Sequence, residues 1–194
     1  MRELEDRIIS DGKILPGNVL KVGSFLNQQV DTALIGRMGA EIARLFAGEG
    51  VTKVLTVESS GIPIAFAAAT VLGVPMVFAK KSASSNMSGK SYVAPVTSYT
   101  HGKTYNIVVS ADYLKAQDRV LLVDDFLAVG QALRGLISLC RQGGAEVVGA
   151  AIAIEKQYQG GGDELRREGV RVESLAMISA LDEKNGVTFC TRPE

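Results

Sequence analysis

The chain has 194 residues, of which 46% are hydrophobic and 22% are charged, and its 21 acidic residues balance its 21 Lys and Arg residues. This length suits one domain with a substantial core. A formal net charge of zero argues against a broad face for nucleic acid or a membrane surface. No run approaches the roughly 20 apolar residues of a membrane span, and the N-terminus lacks the apolar core of a signal peptide, so we expect a cytoplasmic protein.

The side chains that most often bind transition metals are few in this chain. There are two cysteines and one histidine, and their spacing does not match a zinc site. We therefore predict no metal that is held by protein side chains alone.

The first 79 residues predict alternating helices and strands after an irregular start. The segment 13–30 mixes apolar and polar residues without a clear period, whereas its neighbours follow helical or strand spacing. The predicted elements are a helix over 2–11, an amphipathic helix over 32–48, a strand over 51–57, a small-residue helix over 62–72 and a strand over 74–79.

The alternation of helices and strands is interrupted between residues 80 and 104. Residues 80–90 are polar and basic, and two strand-like pieces follow, around 91–99 and 103–110. Long insertions inside a compact domain are usually functional, often as lids over a site. We therefore predict a flexible lid over about 80–104.

The remaining segments again alternate strands with helices. Strands are predicted over 120–123, 147–154 and 170–179, with helices at about 131–142 and 162–168 between them. Such alternation predicts an α/β fold with a mostly parallel, doubly wound sheet. No linker or repeat divides the chain, so residues 1–194 are predicted to form a single domain.

The segment from Val120 to Ala132 carries most of the functional information. An apolar strand ends in two consecutive acids, Asp124 and Asp125, and a turn of small residues leads into a helix near Gly130. Ligands of open α/β sheets bind at the carboxyl ends of strands, and helix N-termini bind anions. The segment therefore offers carboxylates for hydroxyls or a metal beside a cradle for phosphate, the combination that a sugar phosphate requires.

This segment resembles the ribose-phosphate signature of the type I phosphoribosyltransferases. That signature has four apolar residues, two acids, three mostly apolar residues and a small-x-Gly-x-small loop. Many members have Thr at the small positions, where this chain has Ala128 and Ala132. The alternative interpretation is a buried strand that happens to be capped by acids at the start of a helix.

Three further segments are similar to the xanthine-specific branch of that family. They are Val19–Asp31, Val57–Ile62 and Ile154–Lys156, and the likeness extends in register from about residue 2 to about residue 188. The resemblance implies the type I phosphoribosyltransferase fold, with a base-binding hook at about 13–30 that belongs to a small hood.

The resemblance also implies an activity. A member of that branch transfers the phosphoribosyl group of 5-phosphoribosyl 1-diphosphate to xanthine and releases diphosphate, with Mg²⁺ bound mainly through the diphosphate substrate. It further implies small-molecule substrates, a homodimer, and neither nucleic acid nor a membrane as partner. The alternatives are another purine base (adenine, guanine or hypoxanthine) or a regulator that senses phosphoribosyl diphosphate without catalysis.

The roles of individual residues follow from the same resemblance. Alternative roles are open for some of these residues. Ser59 and Ser60 would then be helix caps, Lys80 and Lys81 would be a solvated basic pair, and Lys156 would be a surface lysine. The predicted catalytic residues are Asp124 and Asp125; those for phosphoribosyl diphosphate are Ala128, Val129, Gly130, Gln131, Ala132, Ser59, Ser60, Gly61, Lys80 and Lys81; those for xanthine are Leu20, Asn27 and Lys156.

Overall fold

The computed structural model describes residues 1–81, 89–97 and 104–191. Its α-helices are α1 (Arg2–Asp11), α2 (Thr32–Leu45), α3 (Ile62–Leu72), α4 (Gln131–Gly143) and α5 (Gly161–Arg167). Its strands are β1 (Lys13–Leu15), β2 (Val19–Lys21), β3 (Lys53–Val57), β4 (Met76–Ala79), β5 (Ser91–Thr97), β6 (Thr104–Ser110), β7 (Arg119–Leu127), β8 (Glu146–Lys156), β9 (Val172–Asp182) and β10 (Gly186–Phe189).

A six-stranded sheet with the order β10-β9-β8-β7-β3-β4 forms the centre of the molecule. Five of its strands run parallel, and β10 pairs antiparallel with β9 at one edge. The expected α/β class with a mostly parallel sheet is thus confirmed. The chain proceeds from β3 outward to β4, and from β7 in the opposite direction to β8 and β9. The strand order therefore reverses between β3 and β7, where open α/β sheets bind their ligands.

Two hydrophobic layers cover the two faces of this sheet. The helices α1, α2 and α3 pack on one face, and α4 packs with the hairpin of β5 and β6 on the other. Strand β7 serves both layers, because Leu121 and Val123 belong to the first and Val120 and Leu122 to the second. Burial on both faces explains why the sequence of β7 is a continuous apolar run.

The irregular segment 13–30 folds into a short hairpin followed by a π-helix. Strands β1 and β2 pair antiparallel, and the π-helix spans Gly23–Asn27. Its side chains Phe25 and Leu26 are fully buried. Elements this short contain too few residues to display a period, which is why the sequence predicts none here. Wide turns of this kind are frequent at functional sites.

The predicted lid lies partly outside the described residues, which omit 82–88 and 98–103. The described part between these gaps is β5, which pairs with β6 along its whole length. Ala94 and Val96 of β5 are buried against α4. The hairpin is thus part of the core, and the lid remains a prediction for the other residues. Among the described residues, no helix is long and apolar enough to cross a membrane.

A buried ion pair holds the carboxyl-terminal end of β8 in place. The carboxylate of Glu155 is fully buried and accepts from Nη1 and Nη2 of Arg166 at 2.9 and 2.7 Å. The hydroxyl of Ser174 in β9 also donates to it. This network joins α5 to β8 and β9. It therefore orients the strand end that carries Lys156.

Replacing Gly162 by alanine tests this packing. A Cβ there would lie 1.9 Å from Oε1 of Glu155 and 2.8 Å from Nη1 of Arg166, so the buried carboxylate must shift. We expect Gly162→Ala to lower the free energy of unfolding in urea by about 1–3 kcal/mol, as for other overpacked sites. Gly36→Ala is the matched control, because no described atom lies within 4 Å of its Cβ site. This control should gain about 0.5–1 kcal/mol. Similar effects of the two substitutions would contradict the packing described.

Candidate active site

A cleft of about 290 Å³ opens at the carboxyl ends of β3 and β7, where the strand order reverses. Most of the predicted site residues meet there. The lining comprises Val57, Glu58, Ser59, Ser60, Lys81, Val96, Thr97, Tyr105, Asp124, Asp125, Phe126, Leu127, Ala128, Val129, Gly130, Gln131, Ala132 and Leu133.

Two adjacent carboxylates form the floor of the cleft. Strand β7 continues through both of them to Leu127, so the acids belong to the strand and do not follow it as the sequence suggests. Burial raises the pKa of Asp124 well above its ordinary value, and the neighbouring charge of Asp125 raises it further. Burial also raises the pKa of Asp125, although a hydrogen bond from Asn27 opposes this shift. A pair that is so costly to ionise favours a ligand with positive charge or hydroxyl donors.

The loop from Ala128 to Ala132 forms one wall of the cleft and leads into α4. Gly130 is the N-cap of α4 and has a φ of 81°, a left-handed conformation that suits glycine. The start of α5 braces this loop, because the amide of Gly161 donates to the carbonyl of Ala128 over 3.1 Å. The helix N-terminus and the small side chains leave room for an anion at this wall.

A second strand-to-helix turn faces that loop. Ser59 and Ser60 line the cleft after β3, and the Glu58–Ser59 peptide bond is cis. The N-cap of α3 is Gly61 and not a serine, so the alternative role of the serines as helix caps is wrong.

Gly61 lies behind the cleft wall and does not line the cleft itself. A Cβ there would lie 2.3 Å from Oγ1 of Thr56 and 3.1 Å from Oδ1 of Asp124. The absence of a side chain at Gly61 thus lets this turn approach the floor of the cleft.

The two predicted lysines separate in space. Lys81 lines the cleft, and its Nζ lies 5.4 Å from the ring centroid of Tyr105. Lys80 exchanges two backbone hydrogen bonds with Val108 and lines a different groove, beside Phe78. The structure therefore brings only Lys81 to the cleft of this chain.

The three residues predicted to bind the base lie around the hook. Asn27 reaches the cleft floor, where its Nδ2 donates to Oδ2 of Asp125 over 3.2 Å. Leu20 is buried in the core of the hook. Lys156 is partly buried, which lowers its pKa, and its Nζ donates to the carbonyl of Asn18 over 3.4 Å. Leu20 and Lys156 do not line the described cleft, but Asn27 connects the hook to it.

Sequence reasoning missed several residues of the site. Val96, Thr97 and Tyr105 reach the cleft from the hairpin, and burial together with the charge of Asp124 raises the pKa of the Tyr105 hydroxyl. The hydroxyl of Thr56 is buried beneath the cleft and has no hydrogen-bond partner among the described residues. The one available signal was a polar residue inside the apolar run of β3.

Metal-binding groups are sparse in the described part of the chain. No cluster of three or more His, Cys, Asp or Glu side chains with the spacing of a metal site occurs there.

The buried acids predict how stability depends on pH. Since the folded pKa of Asp124 is raised, the folded state binds this proton more tightly than the unfolded state does. The contribution of Asp124 to the free energy of unfolding should then fall as pH rises from about 4 toward neutrality. Asp124→Asn lacks this loss, and we expect it to be more stable than wild type at pH 7 by on the order of 1 kcal/mol. Thermal denaturation of both proteins between pH 4 and pH 7 measures the difference, and an advantage that shrinks as pH rises would contradict the burial argument.

Comparison with known proteins identifies the family. The sequence model of the family described as phosphoribosyl transferase domain matches residues 22–173. The chain is similar to the xanthine phosphoribosyltransferase of Bifidobacterium adolescentis, with 52% identity over 187 residues, 96% of this chain and 97% of the relative. The enzyme of the same name from Lachnoclostridium phytofermentans is 50% identical over 186 residues, which cover 96% of each chain.

Solved structures share the fold at lower identity. The adenine phosphoribosyltransferase of Giardia lamblia, complexed with 9-deazaadenine, superposes with a TM-score of 0.75 at 22% identity and covers 91% of this chain and 98% of that one. The Trypanosoma brucei enzyme, in complex with AMP, pyrophosphate and ribose-5-phosphate, gives a TM-score of 0.76 at 19% identity, with 94% and 83% covered. Together with the cleft at the strand reversal, these matches show that the chain belongs to the phosphoribosyltransferase family.

Proposed function

We propose that this protein transfers the phosphoribosyl group of 5-phosphoribosyl 1-diphosphate to xanthine, giving xanthosine 5′-monophosphate and diphosphate. The observation that carries the proposal is the position of Asp124 and Asp125 beside the N-terminus of α4, at the strand reversal. The choice of xanthine is supported by the names of the two bacterial relatives, which match almost the whole chain.

The 5′-phosphate of the donor substrate fits the loop from Ala128 to Ala132. Backbone N–H groups at the start of α4 supply donors, and the helix dipole favours negative charge there. The methyl side chains of Ala128 and Ala132 contribute no hydroxyl donors, so the backbone has to bind the phosphate. Gly130 allows the loop to curve around it.

The diphosphate fits the opposite wall. The hydroxyls of Ser59 and Ser60 and the amine of Lys81 border that part of the cleft. Glu58 orients the backbone at Lys81, because its Oε1 accepts from the Lys81 amide over 2.6 Å. These groups would bind the leaving group from the side opposite the phosphate loop.

Mg²⁺ is proposed to enter with the diphosphate. The acid pair and the sparse metal-binding groups of the described chain fit an ion that is bound mainly through substrate oxygens. When bound, the ion supplies positive charge that stabilises the departing diphosphate. The side chains around it contribute positioning rather than a complete coordination shell.

The chemistry at C1 of the ribose requires little proton transfer. Diphosphate is already a good leaving group, and C1 develops positive charge as it departs. Asp124 and Asp125 would accept hydrogen bonds from the 2′- and 3′-hydroxyls and place negative charge near C1. Catalysis would then come from positioning and from electrostatic stabilisation in a largely buried cleft.

Xanthine is proposed to bind between the hook and the end of β8. Xanthine has carbonyl groups at C2 and C6 and loses a proton readily near neutral pH. The Lys156 cation, partly withdrawn from water, and the Asn27 amide would supply donors to such a base. Guanine has an amino group at C2, so a hydrogen-bond donor of the base would face a hydrogen-bond donor of the protein.

A homodimer is part of the proposal. Lys80 lies outside the cleft of its own chain, in a groove along the edge strand β4. Exposed Phe78 and Tyr113 line the same groove. Exposed aromatic residues along a sheet edge favour contact with another protein surface.

Neutralising the acids tests the reaction. We expect Asp124→Asn and Asp125→Asn each to lower kcat/KM by on the order of 10² or more, because the developing cation loses a partner charge. The assay follows xanthosine 5′-monophosphate formation with phosphoribosyl diphosphate and Mg²⁺. Asp6→Asn, an exposed acid on α1, is the matched control and should retain wild-type rates. Wild-type rates in both cleft variants, with unchanged folding, would refute the assignment.

A panel of purine bases tests the substrate. The wild-type protein should use xanthine in preference to guanine, hypoxanthine and adenine. Lys156→Ala should lower kcat/KM for xanthine by about 10- to 100-fold and reduce this preference, because a charged donor to the base is lost. Lys21→Ala, which removes an exposed lysine of the hook, is the control. An unchanged ratio of xanthine to guanine turnover in Lys156→Ala would contradict the proposed base contact, even if the transfer reaction stands.

A further inference from the structure

Asn27 and Asp125 form a hydrogen bond between parts of the chain that are 98 positions apart. Nδ2 of Asn27 donates to Oδ2 of Asp125 over 3.2 Å. Asn27 is the last residue of the π-helix, which buried Phe25 and Leu26 anchor in the core. Because this segment is anchored, Asn27 loses little conformational freedom when it makes the bond. The segment 13–30 therefore contacts a cleft acid directly.

The bond acts on a carboxylate that depends on its donors. Burial raises the pKa of Asp125, and the Asn27 amide is the strongest influence in the opposite direction, ahead of the Asp124 side chain and the neighbouring backbone N–H groups. Asp124 instead accepts from the backbone amide of Asp125 over 3.0 Å. The other influences that lower the pKa of Asp125 come from residues 124–126, so Asn27 is the donor that reaches Asp125 from a distant part of the chain.

The amide of Asn27 has more hydrogen-bonding groups than the contact with Asp125 uses. Asparagine has two N–H donors and one carbonyl acceptor. The bond to Asp125 uses one N–H and fixes the plane of the amide. No other described residue hydrogen-bonds to the Asn27 side chain, so its other N–H and its carbonyl oxygen can serve a second partner. Asn27 is thus able to contact a base and Asp125 at the same time.

We propose that Asn27 is a positioning residue for Asp125, which orients this carboxylate for the ribose of phosphoribosyl diphosphate whether or not a base is bound. The inference rests on the proposed function, because it takes Asp125 as the acid that meets the ribose. It also has a thermodynamic consequence. Since one amide serves both substrates, a bound base changes the affinity for phosphoribosyl diphosphate, and the reverse effect has the same factor.

Equilibrium binding without a base separates this role from base recognition. Isothermal titration calorimetry measures the affinity of the base-free protein for phosphoribosyl diphosphate in the presence of Mg²⁺. We expect Asn27→Ala to weaken this affinity about tenfold, because Asp125 loses a charge-assisted donor. A residue that only contacts the base has no effect in this experiment.

Lys156→Ala is the matched control. Lys156 is also predicted to contact the base, but its Nζ donates to the Asn18 carbonyl and not to either acid. The Lys156→Ala variant should bind phosphoribosyl diphosphate with an affinity within about twofold of wild type, because Lys156 shares no hydrogen-bond partner with Asp125. In turnover assays at saturating xanthine, kcat should fall for Asn27→Ala, whereas the main effect of Lys156→Ala should be a higher KM for xanthine.

The outcomes distinguish the two levels of the proposal. Wild-type affinity for phosphoribosyl diphosphate in Asn27→Ala, with a raised KM for xanthine, would overturn the positioning role and leave the proposed function intact. Failure of the wild-type protein to bind phosphoribosyl diphosphate would overturn both. Asn27→Asp keeps the size of the side chain and supplies the comparison if Asn27→Ala does not fold. It places a carboxylate against Asp125, so it should weaken binding at least as much, and wild-type affinity would again overturn the inference.

Discussion

The burial of two adjacent carboxylates at the end of β7 is the constraint on which the rest of the site depends. Both acids have raised pKa values, and burial is the main cause. A folded chain keeps such a pair only if the surroundings supply donors or leave space for a ligand that does. In this protein the donors include the Asn27 amide and backbone N–H groups of β7, and the space is the cleft at the strand reversal.

The small residues around the acids follow from the same constraint. Gly61 allows α3 to begin directly against Asp124, and the Ala128–Ala132 loop leaves a wall of backbone with little side chain. A site arranged in this way is better matched to a charged sugar phosphate than to water. The burial of these acids therefore lowers the stability of the fold, as is common where a site is pre-organised for its ligand.

Local patterns in the sequence predicted much of the fold, but contacts between distant segments were beyond them. Helix α3 was predicted at its observed bounds, 62–72, because a glycine turn and an apolar run determine it locally. Strand β7 was predicted too short, since the acids interrupt the apolar run although its pairing with β8 continues to Leu127. The two acids and the Ala128–Ala132 loop line the cleft together because they belong to one continuous motif. The bond of Asn27 to Asp125 and the separation of Lys80 from the cleft depend on tertiary packing, for which a single sequence holds no signal.

The glycine run at residues 160–162 has the composition of a flexible linker, but Gly161 and Gly162 are tightly packed against neighbouring segments. Gly161 packs against the carbonyl of Ala128, with only 2.4 Å left for a Cβ, and Gly162 packs against the carboxylate of Glu155. One short stretch thus sets the distance between the Ala128–Ala132 loop and the strand that carries Lys156. Under the proposed function, substitutions aimed at the base preference would be made at Lys156 itself. They have to leave Gly161 and Gly162 unchanged, because a Cβ at either position would displace the backbone at Ala128 or the carboxylate of Glu155.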